Sequence, residues 1–406
     1  LILCVEGRAD GIFAENETVC IDEIKGIYKS LDSLEEPVQV HRAQALCYGW
    51  IYMEAHDLER IDIQMTYGQL DTEEIRRFRE TIAREKLEKW YQDLTDEYYK
   101  WVSYQLAWRK ERNASMETLE FPFPYRKGQR EMVAGVYHAI SEEAQIFIQA
   151  PTGIGKTMSA IFPAVRAVGQ GKGETVFYLT ARTITRTVAE DAFSILRGKG
   201  LHFKSITITA KEKMCFCDEM DCDPQKCPYA KGHYDRINDA VYELWTKEEA
   251  FDRETILAQA EKYSVCPFEI TLDLAVWMDG IVCDYNYVFD PNVYLKRFFG
   301  ENIKGKYLFL IDEAHNLVDR GREMYSASLC KEEIESTRRF VRAHSSRLYR
   351  MLGKAAKQLE VLKEESSSSW QVLENAGTLP VTLLSIQGEM DKLLEEPPSQ
   401  EFVDGI

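Results

Sequence analysis

The sequence predicts an α/β chain whose larger part builds a mostly parallel sheet, with a smaller α/β unit before it and helices after it. Three observations predict this. Strand and helix signals alternate from residue 125 to residue 311. The apolar run Gln145–Gln149 passes through a glycine-rich turn straight into a helix-forming stretch. A second apolar run, Tyr307–Ile311, ends on Asp312-Glu313.

Taken in order, Leu1–Val5, Gly11–Phe13 and Val19–Ile24 read as strands, with Glu15-Asn16-Glu17 as a turn. His41–Ala55 has helical spacing, Arg60–Tyr67 reads as a strand, and the charged, Trp- and Tyr-bearing stretch Asp71–Arg112 reads as helices. Phe121-Pro122-Phe123-Pro124 breaks the pattern, so a boundary is expected near 118. Beyond it we expect helix Lys127–Ser141, strand Gln145–Gln149, helix Lys156–Val168, strand Thr175–Leu179, helix Thr185–Leu196, strand Ser205–Thr209 and strand Tyr307–Ile311. Residues 211–270 form an insertion, and the chain turns polar and helical from 331, with a break at Ser366–Ser369. The expected division is 1–118, 119–330 and 331–406.

The 406 residues suffice for two or three domains, and the 45% hydrophobic and 29% charged content suits ordinary cores. No apolar run approaches the ~18 residues of a membrane helix, so no membrane partner is expected. The opening Leu1–Val5 is too short for a signal peptide and begins with Leu, from which we expect an incomplete N-terminus and a cytoplasmic protein. A net charge of -17 argues against a general nucleic-acid coat. Arg197, Lys199, Lys204, Lys211 and Lys213 make one local basic track, readable as a strand-gripping groove or as a solvated surface.

Ala150-Pro151-Thr152-Gly153-Ile154-Gly155-Lys156-Thr157 sits between the expected strand and helix. That is the context of a phosphate loop. Glycines let backbone N–H groups face phosphate oxygens, and the helix N-terminus favours negative charge. Lys156 would reach the β- and γ-phosphates and Thr157 would hold Mg²⁺. The bland alternative is a glycine-rich turn with a chance lysine. Ile311-Asp312-Glu313-Ala314-His315 supplies the acidic partner. Asp312 would hold Mg²⁺, Glu313 would position or deprotonate the attacking water, and His315 would link the nucleotide side to the nucleic-acid side. Acidic residues in a helix's first turn are the alternative reading of Asp312-Glu313.

Together these motifs resemble a DEAH-box motor of the XPD/DinG-type superfamily 2 DNA helicases. Tyr125-Arg126-Lys127-Gly128-Gln129 is similar to that family's adenine-reading motif, with Gln129 as the contact. Thr180-Ala181-Arg182-Thr183 resembles its next motif, which touches the DNA backbone, and Asp284–Pro291 resembles the segment before the DEAH strand. The resemblance covers about 120–330. It implies a RecA-like P-loop motor domain with iron–sulfur and helical arch insertions, ATP and Mg²⁺ as ligands, and single-stranded or forked DNA as partner. It places the ATP site on Gln129, Thr152, Gly153, Ile154, Gly155, Lys156 and Thr157. Residues 331–406 would begin the arch, and nothing there resembles the second motor domain, so the chain as given is expected to bind nucleotide weakly and not to unwind DNA. Arg338, Arg339, Arg342, Arg347 and Arg350 read as a solvated face or as DNA contacts.

Five of the ten cysteines fall between 215 and 266. Cys215, Cys222, Cys227 and Cys266 give C-x6-C-x4-C-x38-C. A cluster inside a large α/β chain points to a metal site in a reducing compartment. In the family resembled, a [4Fe-4S] cluster on four cysteines occupies this interval. Uneven loops and missing CxxC knuckles favour iron over structural zinc, which stays open as a docking-module reading. Cys217 is an alternative ligand to its neighbours, and Cys283 reads as a buried structural thiol.

Asp10, Glu23, Lys25, Gln44 and Tyr48 follow in order on strand, strand and helix. Asp10 and Glu23 would converge on Mg²⁺ or Mn²⁺, and Lys25 shares the face of Glu23. Gln44 and Tyr48 lie one helical turn apart. The order resembles a RecB-like PD-(D/E)XK nuclease; a degenerate fold kept as a DNA clamp is the alternative. Two function classes therefore stand: an ATP-dependent DNA helicase with a linked nuclease, in repair or replication, and a nucleotide-switched DNA-binding or docking protein without motor activity.

Overall fold

The computed structural model describes residues 4–15, 18–28, 30–151, 153–181, 183–301, 303–365, 372 and 374–395. By compactness the chain divides into residues 96–326 and a unit holding 1–95 and 327–406.

In residues 1–95, β1 (Gly11–Glu15) and β2 (Thr18–Ile27) form a hairpin, α1 (Gln39–Ala55) crosses over, and β3 (Arg60–Gln69) returns parallel to β2. Then β4 (Ile75–Ala83) pairs antiparallel with β3 and runs into α2 (Arg84–Glu117). One face of this four-stranded sheet is apolar. Ile21, Ile61, Ile63, Met65 and Tyr67 bury there with Ala45, Leu46 and Met53 of α1.

Two expectations fail here. Residues 75–83 are a strand and not part of a helix: their inward positions alternate, and they satisfy the backbone groups of β3, which a helix would leave bare. Of the expected opening strand, Cys4 and Val5 are in no strand, and Leu1–Leu3 lie outside the described residues, as do Asn16 and Glu17.

In residues 96–326 the elements are α3 (Gln129–Ser141), α4 (Lys156–Gly169), β5 (Thr175–Leu179), α5 (Thr183–Arg197), β6 (Ser205–Thr207) and the short α6 (Lys211–Met214). They continue with α7 (His233–Lys247), β7 (Ala250–Phe251), α8 (Arg253–Tyr263), α9 (Pro267–Ala275) and β8 (Gly280–Cys283). The one-turn helices α10 (Asn286–Phe289) and α11 (Lys296–Phe299), β9 (Tyr307–Ile311) and α12 (Leu317–Met324) complete the unit. The sheet order is β7-β6-β8-β5-β9, and every pairing is parallel. The inner strand β5, between β8 and β9, is buried on both faces. Val176 and Tyr178 meet α4 and α5, while Phe177 and Leu179 meet the core built on α7, α8 and α9.

The expected strand at Gln145–Gln149 does not form. Among the described residues the segment has no ladder partner, and Phe147 is 90% exposed. Its apolar pattern suits a strand, but pattern alone supplies no partner. The second half of α2 docks on this unit: Trp101 packs against Trp245 and Trp277, and Asp279 accepts from Trp108 Nε1 at 2.9 Å and from Arg112 at 2.6 Å.

Residues 327–395 fold as α13 (Lys331–Val341), α14 (Ser346–Glu365) and α15 (Leu379–Glu395) around Ile334, Val341, Leu348, Leu352 and Ile386. Their arginines are tied locally. Arg338 and Arg342 lie over the Tyr349 ring, Arg339 and Arg350 donate to carbonyls one turn back, and Arg347 pairs with Glu389. Ser366–Ser369 lie outside the described residues.

Candidate active site

In a parallel sheet every strand's carboxyl end lies on one edge, and ligands gather there. Here that edge carries Thr180 after β5, Asp284 after β8 and Asp312-Glu313 after β9. The phosphate loop meets the same edge. Gly153 (φ 82°) and Gly155 (φ 81°) take the left-handed conformation that turns the chain into α4, where Gly155 is the N-cap without a side-chain cap. The first-turn N–H groups of α4 are thereby left to a ligand. Lys156 Nζ stands 3.5 Å from Glu313 Oε1, and His315 Nδ1 stands 3.4 Å from Glu313 Oε2. Thr152 lies outside the described residues.

Without its own strand, the loop is braced by the motif that precedes it. The Arg126 guanidinium donates to the Gly153 carbonyl. Gln129, 3% exposed, accepts from the Arg126 amide at 3.0 Å, and its Nε2 would stand 2.8 Å from a Cβ at Gly155. Ile154 lies against Gly128, itself left-handed at φ 79°.

Two tyrosines missed in the sequence hold the acids. The Tyr178 hydroxyl lies 3.4 Å from Thr157 Oγ1 and also contacts Asp312; burial first, then Asp312, pushes its pKa up. The Tyr285 hydroxyl donates to the carbonyls of Asp312 and Glu313, and burial raises its pKa to about 12. Glu313 sits at φ 49°, a left-handed conformation uncommon for a non-glycine residue. Tyr285 lies within the Asp284–Pro291 segment that the sequence singles out, but its role there is not legible from the sequence, and nothing local marks Tyr178.

The DEAD/DEAH box helicase family model matches residues 126–248, and the DEAD_2 family model matches residues 202–334. A chicken (Gallus gallus) Fanconi anemia group J protein homolog is 33% identical over 90 residues, 22% of this chain and 7% of the relative. The regulator of telomere elongation helicase 1 of Bos taurus is 21% identical over 327 residues, covering 68% of this chain and 26% of the relative; the Homo sapiens protein is 22% identical over 328 residues, with the same coverage. Residues 126–334 thus carry DEAD/DEAH box and DEAD_2 helicase family matches from end to end. The chain spans about a quarter or less of the length of these curated relatives. Solved structures titled "Truncated XPD" and "XPD_Helicase" superpose with TM-scores of 0.41 and 0.38 at 19% and 18% identity, over 64% and 66% of this chain and 76% and 48% of theirs, an overlap too loose to carry a site assignment. Among the described residues, no helix is long and apolar enough to cross a membrane.

The DEAD_2 segment also carries the cysteines. The Cys217 thiol neighbours Cys227 and Cys215, and desolvation first, then Cys227, pushes its pKa to about 11. Lys211 bonds Cys222 and lies in the field of Cys266. Cys266 is the N-cap of α9, and burial raises the pKa of its thiol while the nearby amides of Glu269 and Phe268 oppose the rise. All five thiols thus sit around α6 and the start of α9, yet among the described residues no three ligating side chains are close enough to hold a metal ion. The donor set fits an iron–sulfur group chemically: soft thiols, one of them at a helix N-terminus. Cys283, by contrast, is fully buried in the sheet.

The basic track is only partly a surface: Lys199 and Lys213 are exposed, while Lys204 and Arg197 turn inward. Lys204 is 1% exposed; its ammonium donates to the Trp245 and Glu248 carbonyls and lies 4.2 Å from the Trp108 ring centroid. Arg197 donates to the Phe203 carbonyl and Ser205. Both serve packing, which charge counting cannot reveal.

In residues 1–95, Lys25 is the centre of the second constellation. Its ammonium lies 2.5 Å from Glu23 Oε1, and Asp10 and Tyr48 act on it as well; the bond to Glu23 comes first among the causes that raise its pKa. Asp10 Oδ2 accepts from the Ile24 amide at 2.9 Å, and Gln44 Nε2 donates to the Tyr48 hydroxyl at 3.1 Å. Glu23 is 1% exposed, and besides the Lys25 ion pair neither carboxylate oxygen has a hydrogen-bond partner among the described residues. Sequence reading missed His41, which senses Lys25 and Glu23, and Tyr67, opposite Lys25 in the β2–β3 register.

Proposed function

We propose that this chain is the nucleotide-hydrolysing half of an ATP-dependent DNA helicase of the XPD/DinG type. The supporting observation is the approach of Lys156 to Glu313 across the carboxyl edge of one sheet. Such an arrangement can clamp a triphosphate between a cation and a water-positioning acid. Gln129 and the turn Gly153–Thr157 would bind ATP, with Thr157 and Asp312 holding Mg²⁺. Magnesium, when bound, neutralises phosphate charge. Tyr178, which touches both Thr157 and Asp312, would keep those two ligands in register. DNA would run across the side marked by His315 and Thr180. Glu313 favours a hydrolase over a nucleotide switch, because a pure binder has no use for that carboxylate. ATP turnover by the full-length protein, with and without single-stranded DNA, tests this: DNA stimulation that Lys156→Ala abolishes is expected, whereas turnover insensitive to both DNA and Lys156→Ala refutes it.

Cys215, Cys222, Cys227 and Cys266 would hold a [4Fe-4S] group that braces the insertion, with Cys217 as the spare thiol. Anaerobic purification should give a brown protein; a colourless protein with stoichiometric zinc refutes the assignment.

A linked metal-dependent nuclease is the second reading, for residues 1–95. It is favoured by the convergence of Asp10, Glu23, Lys25 and Tyr48 and by the burial of the Glu23 carboxylate, whose one close partner is the Lys25 ammonium. Asp10 and Glu23 would hold the Mg²⁺ or Mn²⁺, and Lys25 would orient water. Single-stranded DNA should be cleaved with Mn²⁺ by the native chain and not by Asp10→Ala.

A further inference from the structure

Val38 precedes α1, and its amide donates to the Tyr67 hydroxyl oxygen at 3.0 Å. His41, in the first turn of α1, places Nδ1 3.1 Å from the same oxygen. Tyr67 is fully buried and faces Lys25 across the β2–β3 pairing. Because the Val38 N–H already occupies one lone pair, the phenol's own hydrogen is free to go to His41 Nδ1. That choice makes Nδ1 an acceptor and puts the imidazole hydrogen on Nε2. The opposite tautomer would need Nδ1–H to take the second lone pair, stranding a buried hydroxyl hydrogen at a cost of about 1–3 kcal/mol. Burial first, then Lys25, lowers the His41 pKa, and burial also holds Tyr67 protonated, so both groups stay neutral near pH 7. A histidine set to ligate a metal through Nε2 would need that atom bare. Here it is a donor, on a ring that lies in the field of Lys25 and Glu23 and in the first turn of a 17-residue helix without a side-chain cap.

We propose that His41 is a phosphate-binding residue of the Asp10–Glu23–Lys25 site, donating Nε2–H to a non-bridging oxygen of the bound DNA strand, with Tyr67 as the positioning residue that fixes its tautomer. This rests on the nuclease reading above. Lys25 serves the water side of the phosphate and His41 serves its oxygens, so the two are not interchangeable. The site takes a phosphodiester and not a bare metal alone.

The test uses the whole chain with Mn²⁺ and end-labelled single-stranded DNA, measuring kcat, KM and, by electron paramagnetic resonance, Mn²⁺ affinity. His41→Phe should lower kcat/KM by about tenfold, the worth of one good hydrogen bond, with Mn²⁺ affinity unchanged. His41→Gln, which keeps an N–H donor, should recover most of that loss. Tyr67→Phe should lower kcat/KM less than His41→Phe. Native kcat/KM in His41→Phe overturns the proposal and leaves the nuclease standing. Loss of Mn²⁺ binding in His41→Phe and in His41→Gln makes His41 a ligand and also overturns it. If the native chain neither binds Mn²⁺ nor cleaves, behaving as Asp10→Ala does, the nuclease reading falls and takes this assignment with it.

Discussion

At the residue scale the nucleotide site is set by backbone that only glycine adopts cheaply. Gly153 and Gly155 share a left-handed φ, yet they differ in surroundings: a Cβ on Gly153 would meet nothing, while one on Gly155 would meet Gln129 Nε2 at 2.8 Å. Gly153→Ala should therefore cost only the conformational penalty of about 1–2 kcal/mol. Gly155→Ala should cost more and weaken ATP binding further, as calorimetric titration would read. Glu313→Gln keeps the shape and removes the charge, so ATP should still bind within a few-fold while turnover falls by about 10²–10⁴-fold. Lys204 gives a prediction of another kind. Burial lowers its pKa to about 8 from the usual 10.5. The unfolded chain binds the proton more tightly between those values, so folding strengthens as pH rises through them. Chemical denaturation of native protein and Lys204→Met should show the native form gaining relative stability above about pH 8, by no more than about 3 kcal/mol.

At the scale of elements, α2 shows what patterning can and cannot tell. Its charged and aromatic residues announce a helix, but not that the helix begins only at Arg84 or that Asp279 waits for its far half. The buried Arg112–Asp279 pair carries that docking. Asp279→Asn should leave an uncompensated guanidinium and cost about 3–5 kcal/mol, with faster amide exchange in residues 101–117 as the measurable sign. The segments misread in the sequence share one cause. Residues 75–83 become a strand because β3 needs a partner, and residues 145–149 remain unpaired because none is offered. Pairing is decided by distant chain, which a window of neighbouring residues does not contain. The glycine turn and the two acids were legible because their chemistry is local; Tyr178, Tyr285, His41 and Tyr67 were not, since each acts through a partner far away in sequence.

At the scale of the whole molecule, residues 1–95 and 96–326 each possess their own apolar core. Unfolding should accordingly show separate transitions. If the cysteines hold iron, chelation should lower the midpoint of the transition that reports on Trp245 and Trp277 and leave that of residues 1–95 in place, as calorimetry with and without chelator would reveal.

The carbonyls of both acids that would split ATP accept from one phenol, Tyr285. That phenol stands two positions past Cys283, on the return path from the cysteine-bearing insertion. A change that shifts β8 would therefore reach the backbone of Asp312 and Glu313 through this one side chain, without passing through the phosphate loop.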